Sequence, residues 1–178
     1  MEMTFVHHPR TGGSYLGRSV GLSAKNHCPM TDEDPAQCVT VLRQPVNRIV
    51  SLRRFCPGTI NLPCLKIGEF RDLEQWLDNN REARNGMVRR LSGMPVVADR
   101  EPDETDLSLA IRRIEQMLHV GLTEALNRSV EALGGPIQQA PRNASKPWFQ
   151  PTDDQREMIA DYNLLDQQLY DHALTLGD

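Results

Sequence analysis

Nowhere in the sequence do about 18 apolar residues follow one another, as a membrane-spanning helix would require. The first residues also carry no apolar signal-peptide core. The expectation from both is a cytoplasmic chain with no membrane partner. The four cysteines, Cys28, Cys38, Cys56 and Cys64, form no C-x-x-C pair and follow no zinc-ligand spacing. Four reduced thiols are the simpler reading, although Cys56 and Cys64 bracket a short segment and are close enough in sequence to bridge. There is no internal repeat and no low-complexity segment. What remains is an ordinary soluble composition, 39% hydrophobic and 25% charged, in 178 residues. That length suits one domain spanning 1–178, able to bury roughly 70% of its unfolded surface.

The net charge of −4 is unevenly spread. Residues 1–65 hold seven Lys/Arg against four acids, a net of +3, which leaves −7 for the rest. An acidic chain with a basic first third is a poor general binder of nucleic acid and is better suited to a local anion site.

Strand-like and helix-like segments alternate along the chain. Met3–His7 reads as a short strand running into a Pro-x-Thr-Gly-Gly turn, with a helix over 14–22. Residues 23–37 read as irregular. "CVTVL" (38–42) is a buried strand by its β-branched run, and Pro45 suits the first position of a helix that turns Val46, Ile49, Val50 and Leu52 inward. Short helices are predicted within 69–79 and 85–93, followed by a surface connection over 94–104. Apolar residues at 107, 110, 111, 114, 117 and 118 form a helical stripe. "HVGL" (119–122) is a third strand, and 123–135 a helix closed by glycine. After a proline-bearing basic loop over 135–151, Thr152 and Gln155 make a capping box. It opens one final helix with Met158, Tyr162, Leu165, Leu169 and Ala173 inward. The alternation implies a parallel α/β sheet.

The stretch "FVHHPRTGGSYLGR" (5–18) carries the first chemical signal. A strand, a glycine loop and a helix N-terminus together cradle an oxyanion. Backbone N–H groups point at the anion, the helix dipole favours it, and glycine lets the backbone approach without a Cβ. The loop lacks the lysine of G-x-x-x-x-G-K-[ST], and no acidic strand end stands ready for magnesium, so a small kinase fits poorly and no metal is expected. Arg43, at the end of the second strand, and Ser51, in the helix after it, supply a guanidinium fork and a hydroxyl suited to a second phosphate. Two such elements in neighbouring βα units suggest a nucleoside with phosphates at both ends.

These motifs resemble the carbohydrate sulfotransferase superfamily, and especially the branch of the heparan sulfate and uronyl 2-O-sulfotransferases and their bacterial relatives. "FVHHPRTGGS" is similar to that family's F-x-H-x-P-K-T-G-G-T/S loop, and "VTVLRQPVNRIVSLRRF" to its T-x-L-R-D-P-x-x-R-x-x-S-x-Y-x-F element. "NHCP", "NGMVRRLSG", "VGLTEALNRSVEAL", "NASKP" and "NLLDQQLYDHAL" resemble its further motifs in the same order, so the resemblance covers residues 5 to 174.

The resemblance implies a P-loop-like three-layer α/β fold, with a small central parallel sheet flanked by helices. It implies 3′-phosphoadenosine 5′-phosphosulfate as donor, and a small-molecule or glycan hydroxyl as acceptor. By position, Arg10, Thr11, Gly12, Gly13, Ser14 and Tyr15 would hold the 5′-phosphosulfate, Arg43 and Ser51 the 3′-phosphate, and Asn143, Ser145 and Lys146 would close over the nucleotide. His27 is the candidate base, with His7 and His8 as rivals, because imidazole titrates near neutral pH. Arg10 is a second catalytic candidate. Arg89 and Trp148 are candidates for contacting the acceptor, although Arg89 equally suits a structural ion pair. The sequence departs from the family in three places. Arg10 stands for its lysine, Gln44 for the aspartate of L-R-D-P, and Asn26 for the glycine before His27. Arginine keeps the charge but cannot donate a proton as lysine can. That keeps alive the alternative of a catalytically weak nucleotide-binding or interaction protein.

Overall fold

The computed structural model describes residues 3–22, 29–31, 33–55, 72–95, 98–137 and 148–176. Its sheet has three parallel strands, β1 (Thr4–Val6), β2 (Cys38–Leu42) and β3 (His119–Leu122), in the order β1-β2-β3. Thr4 lies opposite Cys38, and Val39 opposite His119. β2 is central and wholly buried, which is why its sequence is a continuous β-branched run rather than an alternation.

The pleat sends alternate side chains to two helical layers. Phe5, Val39 and Val41 pack with Tyr15 and Leu16 of α1 (Gly13–Val20) and Val130 of α6 (Leu126–Ala132). Val6, Cys38 and Leu42 face the other way, onto α4 (Gly86–Leu91), α5 (Glu104–Gln116) and α8 (Leu164–Leu176). A third apolar cluster joins Ile49, Val50 and Leu52 of α2 (Pro45–Phe55) to Trp76 of α3 (Leu73–Asn79) and Ile159 of α7 (Asp153–Asp161). Each such side chain contributes roughly 1.5–3 kcal/mol when fully buried. The architecture is mixed α/β with a small parallel sheet. Among the described residues no helix is long and apolar enough to cross a membrane.

Local chemistry sets the helix starts. The Gln44 side-chain oxygen accepts from Asn47 N at 2.8 Å, so Gln44 caps α2. Thr152 and Gln155 form the expected capping box on α7. Asp103 and Asp106 form another on α5, with Asp103 at the end of what reads from sequence as a connection.

Two sequence expectations are corrected. The final helix is two helices, α7 and α8, broken at Asn163. This residue is fully buried, donates to Ala83 O and Ile159 O at 2.9 Å each, and accepts from Asn85 N at 3.1 Å. An amide committed to three partners holds the chain out of a continuous helix. Leu118 is not part of the buried stripe of α5. The helix ends at Gln116, and Leu118 is 50% exposed because its backbone N–H turns to bond Cys38 O at the edge of the sheet.

Candidate anion site at the strand ends

All three strands end at the same rim, the C-terminal edge where open α/β sheets present their ligand sites. The hydroxyl of Thr123, just past β3, lies 2.7 Å from Thr11 O and 3.0 Å from Leu42 O, and as a shared donor it ties the loops after β1 and β2 together. Thr11 is buried and its own hydroxyl donates to His8 O at 3.0 Å. Arg10 (φ 68°) and Gly12 (φ 80°) both take left-handed backbone conformations. An arginine there is uncommon and costs energy, so the loop's surroundings must hold it in place.

Two contacts do so. Arg43 Nη1 donates to Arg10 O at 3.0 Å, and Arg10 Nε donates to Ser51 Oγ at 3.1 Å. The Arg10 guanidinium lies 4.5 Å over the ring of Phe55. The loop after β1 and the Arg43–Ser51 pair thus meet through Arg10 and form one contiguous group. Burial lowers the Arg43 guanidinium below its ordinary pKa. Glu124 opposes this, while the charges of Arg10, Arg48 and Arg54 deepen it. Arg48 is itself paired with Glu82 and Asp166, so the positive charge of Arg10, Arg43 and Arg54, opposed by Glu124, is the part suited to a multiply charged anion.

Gly12 caps α1 and has no side chain of its own to accept from the first N–H groups of the helix. Gly13 is a steric requirement. A Cβ there would come within 2.1 Å of His7 Cδ2 and 2.8 Å of Phe5 Cζ. His7 in turn stacks on Phe5 with ring centroids 5.3 Å apart, while His8 is fully buried behind the loop. Ser14 is exposed in the first turn of α1. Tyr15 is buried, and its hydroxyl donates to Asn127 Oδ1 at 2.9 Å.

The remaining candidates separate. Arg89 is fully buried. It donates to Arg100 O at 3.3 Å and to Glu101 at 3.2 Å, with Met94 Sδ at 2.9 Å, so these partners all lie in the 94–101 segment and none in the Arg10 group. Trp148 is 52% exposed at the C-terminal end of α2, where its indole N–H donates to Arg54 O at 2.9 Å. Arg54 Nε donates to Phe149 O at 2.8 Å on the same corner. His27, Asn143, Ser145 and Lys146, and the Cys56–Cys64 pairing, lie outside the described residues. Among the described residues no three His, Cys, Asp or Glu side chains gather as a metal site would need.

Sequence reasoning missed Arg54, Phe55, Thr123 and Glu124. The last two stand in "VGLTE", where a hydroxyl and an acid directly after a strand were the available signal. A scan against protein-family models and a search of curated proteins both find no match for this chain.

Proposed function

We propose that this chain is a sulfotransferase of a single domain on a P-loop-like scaffold. It moves a sulfuryl group from 3′-phosphoadenosine 5′-phosphosulfate to a hydroxyl of a small molecule or glycan. The observation that carries the reading is the contact of Arg10 with both Arg43 and Ser51 at the mouth of the Gly12–Gly13 loop. The donor set fits such a ligand: guanidinium groups and a hydroxyl for phosphate oxygens, and helix N–H groups for a second anionic end. In the transfer the acceptor oxygen bonds to sulfur while the bond from sulfur to the bridging phosphate oxygen breaks. The acceptor proton goes to a base, for which His27 is the candidate, and the nucleotide leaves as the 3′,5′-bisphosphate. Arg10 would stabilise charge on the bridging oxygen.

A second reading has its own observation. The Arg10 guanidinium is already engaged by Ser51 and Phe55, which suits a protein that binds the nucleotide without catalysing transfer.

The test has two arms. 3′-Phosphoadenosine 5′-phosphate should raise the melting temperature far more than AMP, and EDTA should leave that rise unchanged. Equal shifts from the two nucleotides would remove the assignment of Arg43 and Ser51. An acceptor screen read by mass should then find a product heavier by one SO₃. Nucleotide binding with no sulfated product from any acceptor would favour the binding protein.

A further inference from the structure

The charge of Glu124 opposes the effect of burial on Arg43 at this rim, and no role in the proposed transfer uses it. It is exposed, directly after the hydroxyl of Thr123 that ties the strand ends. Its two oxygens are held separately. Oε1 accepts from Gln44 N, the residue after Arg43, at 3.4 Å, and Oε2 accepts from the Tyr170 hydroxyl at 3.2 Å. Tyr170 is a secure donor, because burial and the nearby Glu124 charge push its phenol up to about 12.

We propose that Glu124 is the residue that limits anion affinity at this site: its carboxylate, clamped between the Gln44 backbone and α8, is the resident counter-charge of the Arg10–Arg43 cluster. The role rests on the anion-site reading and goes beyond it. Without the Glu124 charge, the positive charge of Arg10, Arg43 and Arg54 would hold a multiply charged nucleotide more strongly and release it more slowly. A carboxylate at fixed position weakens binding in proportion to the ligand's charge, since Coulomb energy scales with the charge product.

The experiment is calorimetric titration of the full chain and its Glu124→Gln variant with inorganic pyrophosphate and with sulfate, at low ionic strength. The variant should bind pyrophosphate about three- to tenfold more tightly and sulfate by a smaller factor, and both gains should shrink as salt is added. Glu124→Asp should stay near wild type. Glu124→Ala, which removes the charge along with the contacts, should shift affinity the same way as Glu124→Gln, and it serves if that variant folds poorly. A merely structural residue would lose affinity on either substitution. Unchanged or weaker pyrophosphate binding, equal gains for the two anions, or no pyrophosphate binding by any variant would overturn the proposal. Pyrophosphate carries no nucleoside, so this result is independent of whether the bisphosphate nucleotide is told from AMP.

Discussion

Asn85 and Asp166 cap each other's helices. The Asn85 side-chain oxygen accepts from Leu165 N and Asp166 N at 3.0 Å each, at the start of α8. The Asp166 carboxylate accepts from Met87 N at 3.0 Å and Val88 N at 2.8 Å, at the start of α4. Asp166 also meets Arg48 at 3.3 Å, and Arg48 meets Glu82, which pairs in turn with Arg90. All four charged groups are buried. This lattice fixes α2, the helix that carries Ser51, against α4 and α8.

Removing Asp166 should therefore be severe. Asp166→Ala leaves two helix N–H groups without their acceptor and strips Arg48 of one of its two carboxylates. The expected loss is about 3–5 kcal/mol in urea unfolding. Asn85→Ala removes a cap and forces alanine into a left-handed backbone (φ 47°), for an expected loss of about 1–3 kcal/mol. Near-wild-type stability of Asp166→Ala would show that the lattice is dispensable.

Gly13→Ala should destabilise the fold and disturb the loop together. Its methyl group would overlap the His7 ring, and His7 is backed by Phe5, so neither can yield cheaply. Overpacking of this kind costs about 1–3 kcal/mol. A melting curve matching wild type would mean that the strand end gives way more easily than its packing suggests.

His119 should make stability fall on the acid side. Its Nε2 is buried without a hydrogen-bond partner among the described residues, and burial lowers its pKa below the ordinary 6.5. The unfolded chain then takes up the proton at a higher pH than the native one. The contribution is fully present above about pH 6.5 and is lost as pH falls from there through the folded value. His119→Leu should flatten this part of a plot of melting temperature against pH. An unaltered slope would place the acid sensitivity elsewhere.

Arg10→Lys separates the enzyme from the binder. Lysine keeps the charge but gives up the Nε contact to Ser51 and the planar stacking on Phe55. If the protein is a working sulfotransferase, the substitution should keep or raise turnover while nucleotide affinity falls modestly. Arg43→Ala should instead weaken the 3′,5′-bisphosphate by one to two decades, the scale of lost charge-assisted hydrogen bonds, with little effect on AMP. Equal losses for both nucleotides would move the 3′-phosphate away from Arg43.

The sequence alone determined the local elements, because their causes are local. The β-branched run of β2, the proline opening α2, the Thr152–Gln155 box and the Gly-Gly turn before α1 each act within a few residues, and each stands where the sequence puts it. The parallel sheet followed from the alternation of strands and helices. Tertiary structure decided everything that depends on residues far apart in the chain. Asn163 breaks the last helix because its amide is claimed by residues about 80 positions earlier. Arg10 and Ser51, separated by 41 positions, touch only because β1 and β2 pair in register and end at one rim. Glu124 meets Gln44, 80 positions away, for the same reason at the rim of β3. Periodicity and capping report what a segment does with its own backbone. Which side chains then share a site depends on how the segments pack, and no local pattern encodes that.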